Sequence, residues 1–346
     1  MLKTRIQDAK KKYPLLDIDL LSETTKRIRS KIGQKAYDLQ SELQYIGGKG
    51  NLGFILHTRR SEPSSRGYIT KITRNNRLNT RKEIYFYDTI LPRSTGLKRI
   101  TPDLIDITSF ENEDLCFLTL ELIIGHRPKE DNILQVMQAY HTLTSVVPER
   151  IDLDYLDRDK GFQLQNISRK FTMHTGSTFT SIHKEKTNEE IMDWLLKQAA
   201  SYRDHREVNT WLRRLESIVI GSQLYSQMTP AQDFVFQHGD FGFHNMFIDS
   251  AGFLYLYDWR TYKFGPPGYD LALYCRKKCW SFEKIEALIL SHPETDRYLR
   301  NMDKAIFLYA LIVMRFVDGI TNKVFSSPHS EFIKPAVERL ERLIHT

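Results

Sequence analysis

The sequence predicts an α+β chain in two lobes, a small antiparallel β-sheet lobe followed by a larger helical lobe. Three observations carry that prediction. Glycine-punctuated runs rich in β-branched and aromatic residues fall between Gly47 and Ile124. Beyond Pro128, apolar residues recur at three- and four-residue spacing. One short β interlude, from Phe234 to Tyr257, interrupts the helical part.

Taken in order, Asp17 to Leu43 is charged and helical in pattern, with Ser22 or Thr24 as caps. Gly47 to Thr58 and Gly67 to Thr73 form two strands, joined by the turn-rich Ser61-Glu62-Pro63-Ser64-Ser65-Arg66. Arg81 to Leu91 is a helix that stops before Pro92, because the residue ahead of a proline avoids helical backbone. Leu115 to Ile124 is a leucine-rich run suited to a central strand, ending at Gly125. Ile133 to Val146, Asn188 to Ala200 and His205 to Leu224 are helices. Phe234-Val235-Phe236 then leads into a loop. Met246-Phe247-Ile248 and Phe253 to Tyr257 make a hairpin turning at Asp249-Ser250-Ala251-Gly252. From Tyr269 onward the pattern is helical again. The joint near Leu122 to Gly125 gives lobes of residues 1–122, with an N-terminal helical segment, and 123–346.

Composition excludes several classes. The chain has 346 residues, 41% hydrophobic, 12% aromatic and 27% charged, which is enough apolar area for a large core and too much for disorder. No apolar run reaches the roughly 18 residues needed to cross a bilayer. Ala305 to Val317 is shorter and carries Arg315, so it is a buried helix. The charged N-terminus has no signal-peptide core, and three cysteines build no disulfide framework, so cytoplasm is the expected compartment. A net charge of +7 permits an acidic partner, but the basic residues are dispersed; Lys10-Lys11-Lys12 is a solvated helix face and no nucleic-acid partner is expected. Cys275 and Cys279, four apart, fit one packed helical face. Trp259 and Trp280 fit the core. Oligomeric state leaves no signature.

The stretch richest in chemistry is Gln237-His238-Gly239-Asp240-Phe241-Gly242-Phe243-His244-Asn245, followed by Tyr257-Asp258-Trp259. Asp240, Asn245 and Asp258 flank the predicted hairpin, so three oxygen-bearing side chains can share one cleft. The amide oxygen of Asn245 and the carboxylate of Asp258 suit Mg²⁺, which prefers hard oxygens and keeps places for phosphates. Asp240 is then left to accept the hydrogen bond of an attacking hydroxyl. The Asp-four residues-Asn spacing with a later Asp is that of a phosphoryl-transfer loop. Ordinary loop Asp and Asn residues, or a transition-metal site from His238, Asp240 and His244, are the alternatives.

Gly48-Lys49-Gly50-Asn51-Leu52-Gly53 lies between strands rather than between a strand and a helix. That context favours a glycine flap over ATP phosphates, made by Gly48, Gly50 and Gly53, above a dinucleotide fingerprint; a plain glycine hairpin is the alternative. In the next strand, alternation lets Lys71 point inward beneath the flap. An inward lysine needs a carboxylate, and Glu83, twelve residues on, is its expected partner. Exposure of both is the competing expectation.

Together these segments resemble the aminoglycoside phosphotransferase and choline/ecdysteroid-kinase-like family of the protein-kinase-like superfamily, from about Leu43 to Tyr274. The most specific parts are His238-Gly239-Asp240 through Asp258-Trp259, and Gly265-Pro266-Pro267-Gly268-Tyr269-Asp270-Leu271-Ala272. Gln138-Ala139-Tyr140-His141 resembles the family's helix with a terminal histidine. The resemblance implies a two-lobed protein-kinase-like fold and an ATP- and Mg-dependent transfer of the γ-phosphate to a small-molecule hydroxyl, with GTP as an alternative donor. It makes Asp240 catalytic, Asn245 and Asp258 metal ligands, and Leu118 to Leu122 the hinge, where Glu121 and Leu122 contact adenine through the backbone. It also implies that Asp270 and His238 buttress the catalytic loop. This sequence departs from many relatives at Gly242, His244 and Arg260. A protein-directed or self-phosphorylating kinase, and a non-catalytic binding protein on the same scaffold, are the rivals. A chain at +7 is a poor global attractor for polycationic aminoglycosides.

Overall fold

A five-stranded sheet is built from β1 (Leu39–Gln44), β2 (Asn51–Arg59), β3 (Gly67–Arg74), β4 (Leu104–Phe110) and β5 (Leu115–Leu122). Its order is β1-β2-β3-β5-β4, and every neighbouring pair is antiparallel. The computed structural model describes residues 20–32, 39–44, 51–59, 67–75, 78–110, 114–146, 188–200, 206–224, 233–322 and 327–345. The α+β class expected from the sequence is the one the chain adopts, with antiparallel sheet in its N-terminal part and helices in its C-terminal part. Lys10-Lys11-Lys12, Gly48, Gly50 and the turn at 61–66 lie outside the described residues.

β5 is buried from Leu115 to Leu120, which accounts for its unbroken apolar run. Leu52, Ile55, Ile72, Leu115 and Phe117 form a core cluster against the sheet, with Phe110 packed on it. The same face carries a polar ladder. Thr25 meets Ser41 at 2.8 Å, Ser41 meets His57 Nδ1 at 2.7 Å, His57 Nε2 meets Thr70 at 2.9 Å, and Thr70 meets Thr119 at 2.8 Å.

Two departures from the sequence pattern concern this region. The segment expected to be helical to Leu43 divides into α1 (Leu20–Ile32) and β1. β1 is an edge strand in which Ser41, opposite His57 in register, stands between Leu39 and Leu43, so its apolar alternation is short and interrupted. β4 is the other edge of the sheet and is only partly buried over most of its length.

α2 (Leu78–Tyr85) runs into a π-helical turn, Phe86–Ile90, and on into Leu91–Arg93. The chain therefore does not stop before Pro92. The π turn lets Leu91 N–H bond Phe86 O, and Pro92 falls in the first turn of a new helical stretch, where a missing N–H costs little. Ser94 then caps α3 (Thr95–Arg99) by accepting Leu97 N–H at 3.3 Å.

Five shorter strands follow: β6 (Gly125–His126), β7 (Val235–Gln237), β8 (Met246–Asp249), β9 (Leu254–Leu256) and β10 (Lys263–Gly265). They make a three-stranded sheet, β6-β8-β9, and a pair, β10-β7. The chain divides into two compact units. One comprises the described residues up to Pro128 together with His244–Thr261; the other comprises Lys129–Phe243 and the residues from Tyr262. The sheet unit thus runs past Leu122 and takes in the β8–β9 hairpin, because β6 pairs with β8. Gly125 is required there: a Cβ would lie 2.0 Å from Ile248 O.

The second unit is built on α4 (Ile133–Thr144), α5 (Asn188–Ala200), α6 (Arg206–Gly221), α7 (Tyr269–Lys277), α8 (Phe282–Ile285), α9 (Asn301–Asn322) and α10 (Ser327–His345). Ala305 to Met314 of α9 are buried without exception and form the middle of its core. Among the described residues, no helix is long and apolar enough to cross a membrane. Trp259 and Trp280 are buried, as expected. Cys275 is buried as well, but Cys279 is exposed. α7 has ended by then and Cys279 adopts φ +53°, so the four-residue spacing no longer marks one helical face.

Candidate active site

Alternation along β3 turns Lys71 to the sheet face opposite the polar ladder. Its Nζ donates to Glu83 Oε1 at 2.9 Å and Oε2 at 2.6 Å, and to Asp258 Oδ1 at 2.6 Å. Lys71 and Glu83 are 6% and 3% exposed, so the competing expectation of a surface pair does not hold. Burial opposes the Lys71 charge, yet Glu83 and Asp258 outweigh it and hold the ammonium above its usual range. Burial pushes the Glu83 carboxyl up, while Lys71 pulls it back.

Asp258 follows β9 and takes φ +66°, a left-handed conformation that aspartate tolerates and that clusters at functional positions. Its Oδ2 lies 3.0 Å from the Arg260 guanidinium, so each of its oxygens meets a cation. Trp259 anchors this turn. Its ring stacks on Phe86 of the π turn at 4.0 Å, and its Nε1 donates to Leu256 O at 3.1 Å.

Asn245 lies just before β8, and its carbonyl accepts Tyr257 N–H at 2.9 Å. That bond closes the open end of the β8–β9 hairpin and puts Asn245 beside the residue preceding Asp258. The Tyr87 hydroxyl, buried and within the fields of Glu83, Tyr257 and Asp258, has no hydrogen-bond partner. An amide at 245 and a carboxylate at 258 are oxygen donors of the kind that suits a hard cation carrying phosphates. Lys71 and Arg260 already neutralise Asp258, so a divalent ion needs anionic ligands of its own to bind there.

Gly53 is buried in β2 opposite Ile72, beside a register shift. At the end of β5, Glu121 N–H donates to Asp103 O at 2.9 Å. The Glu121 carbonyl accepts the Tyr257 hydroxyl at 3.1 Å, and Ile123 N–H donates to that same hydroxyl at 2.9 Å.

In the helical unit, Asp270 of α7 accepts His238 N–H at 2.6 Å and Gly239 N–H at 3.1 Å. Burial lifts its carboxyl to about 6 against those bonds. Asp240 N–H donates to His238 Nδ1 at 3.3 Å, and Gly239 sits at φ +77° to make the bend. Upstream, Gln237 Nε2 donates to Pro266 O at 2.5 Å. Gly268, at φ +83°, donates its N–H to the Tyr140 hydroxyl at 2.6 Å. The far end of α7 also serves the loop: Lys277 Nζ donates to the Asp240 carboxylate.

The sequence profile of the phosphotransferase enzyme family matches residues 128–305, a segment holding Asp240, Asn245, Asp258 and Asp270. The chain belongs to the phosphotransferase enzyme family. No curated protein matches it by sequence. A thermostable mutant of aminoglycoside phosphotransferase APH(4)-Ia in its apo form is a structural likeness at 13% identity, covering 93% of this chain and 98% of that one, with a TM-score of 0.44. Choline kinase LicA from Streptococcus pneumoniae is another at 15% identity, covering 92% and 99%, with a TM-score of 0.44. The GDP complex of wild-type aminoglycoside 2′-phosphotransferase-IIIa stands at 13% identity, 94% and 99% coverage, and a TM-score of 0.45.

In this phosphotransferase, the sheet unit brings together Lys71, Glu83 and Asp258, with Asn245 at the same hairpin. Asp240 belongs to the helical unit, where Asp270, His238 and Lys277 surround it. Lys277 was not foreseen. A single lysine at the end of a helix carries no spacing signal, and its partner lies 37 residues away. The Arg260–Asp258 pair is similarly silent in sequence, beyond the unusual residue after Asp-Trp.

Proposed function

We propose that this phosphotransferase moves the γ-phosphoryl group of ATP, taken up with Mg²⁺, to a hydroxyl group of a small molecule. The observation supporting the reading is the buried Lys71 ammonium, shared between Glu83 and Asp258. A charge held at that depth suits an anionic ligand better than it suits stability alone. Lys71 orients the phosphates, with Gly53 and the neighbouring glycines Gly48 and Gly50 giving backbone access. Asn245 and Asp258 would hold Mg²⁺, which when bound supplies charge neutralisation to the β- and γ-phosphates.

Asp240 orients the acceptor hydroxyl and takes its proton as the new O–P bond forms and the bond to the ADP oxygen breaks. A carboxylate of reference pKa about 3.9 is a weak base. That suffices for a loose transition state in which positioning and electrostatics supply most of the rate. Residues 1–122 serve the nucleotide together with Asn245 and Asp258, and 123–346 carry the catalytic loop and the acceptor site. Sugar and other neutral or anionic acceptors fit the chain's positive charge better than polycations, and choline-like monocations are opposed by it less than polycations are.

The test is a library of hydroxyl compounds incubated with MgATP, scored for phosphorylated product. The reading expects acceptor-dependent ADP release that Asp240→Asn abolishes. Transfer only to protein, or none at all, would favour the rival kinase or scaffold readings.

A further inference from the structure

The hydroxyl of Tyr257 does two things at once at the end of β5. It donates to the Glu121 carbonyl at 3.1 Å and accepts Ile123 N–H at 2.9 Å. A carbonyl and an N–H two residues apart present an acceptor and a donor side by side, and the edge of a purine base offers the complementary donor and acceptor. A phenol hydroxyl is one of the few side-chain groups able to satisfy both with a single atom. Tyr257 is also covalently joined to Asp258, whose carboxylate meets Lys71. The base-complementary pair and the candidate phosphate-binding charges therefore belong to one unit and are joined through one dipeptide. The Tyr257 ring is mostly buried, packed edge-on against Phe247 with ring centroids 5.6 Å apart.

We propose that Tyr257 is an internal occupant of the base-recognition edge, so that the nucleotide base and the Tyr257 hydroxyl compete for Glu121 O and Ile123 N–H. This rests on the nucleotide reading above and adds to it a specificity-determining residue. In the free chain neither backbone group is left unsatisfied, because the phenol stands in for the base. A base must displace the hydroxyl to bond there, and apparent affinity falls by the fraction of chains in which the edge is open. The triphosphate, held through Lys71, gains nothing from that displacement. Base and phosphate recognition are thereby separable.

The experiment measures binding of MgATP, and separately of magnesium tripolyphosphate, which has no base, to the wild-type chain and to Tyr257→Phe. Melting temperature is followed alongside; Tyr257→Leu takes the place of Tyr257→Phe if that variant does not fold. With the competing hydroxyl gone, MgATP should bind about tenfold tighter or more, while tripolyphosphate affinity stays within about twofold. Unchanged or weaker MgATP binding in the variant would overturn the proposal and leave the nucleotide reading standing. Equal weakening for both ligands would make Tyr257 a structural tie only, and would also overturn it. If neither chain binds either ligand, the nucleotide reading itself fails and takes this inference with it.

Discussion

The Lys71 ammonium and the Glu83 carboxylate meet in two hydrogen bonds, with 7% and 4% of their side chains exposed. Removing one partner strands the other charge in the interior. Lys71→Ala is expected to destabilise the chain by about 3–5 kcal/mol, whereas replacing both Lys71 and Glu83 with apolar residues should recover much of that loss. Urea unfolding of the two single variants and the double variant measures the coupling. Stability recovered without nucleotide binding would assign the charge to function.

Asp240→Ala should lower turnover by about 10²–10⁴ while nucleotide affinity stays near wild type, because the side chain acts on the acceptor rather than on the donor. Single-turnover kinetics combined with nucleotide titration separates the two effects. Wild-type turnover would remove Asp240 from its proposed role.

Lys277 pairs with Asp240 from the last turn of α7. Both are partly exposed, so Lys277→Ala should change stability by less than about 1 kcal/mol. If the cation steadies the catalytic carboxylate, kcat falls about tenfold or more and Lys277→Arg restores part of it. A change confined to the melting temperature would give Lys277 a structural role instead.

His57 makes a pH prediction. Burial lowers its pKa from 6.5 to about 4, so the folded chain keeps the ring neutral between Ser41 and Thr70. Between those values the unfolded chain binds a proton that the folded chain refuses. The stability it contributes is fully present above about pH 6.5 and is lost as pH falls toward 4, by up to about 3 kcal/mol. Denaturant unfolding at pH 7 and pH 4.5 should show this slope, and His57→Gln should flatten it. Equal slopes in both chains would place the acid sensitivity elsewhere.

What the sequence disclosed and what it hid divide along physical lines. Asp240, Asn245 and Asp258 stood out in the sequence as oxygen donors spaced around a short hairpin, the arrangement that the proposed phosphoryl transfer would use. Lys71 and Glu83 were legible because an inward lysine demands a carboxylate. The helices showed through their apolar periodicity, as in α6, whose Val208, Leu212, Leu215 and Val219 are buried. β1 and β4 did not, since each is a short edge strand with only a brief alternation, Leu39 and Leu43 in one and Ile105 and Ile107 in the other. Pairings that depend on tertiary proximity were also silent: Lys277 with Asp240, Arg260 with Asp258, and the Tyr257 hydroxyl with the end of β5.

Nucleotide and Mg²⁺ binding are expected to converge on Asp258, whose carboxylate already meets Lys71 and Arg260. Calorimetric titration of the wild-type chain with Mg²⁺ alone, with ATP alone and with both tests it most directly. The expected result is no measurable binding of Mg²⁺ alone and saturable binding of MgATP, lost in Asp258→Asn. Tight binding of Mg²⁺ without nucleotide, or no binding of MgATP at millimolar concentration, would contradict it.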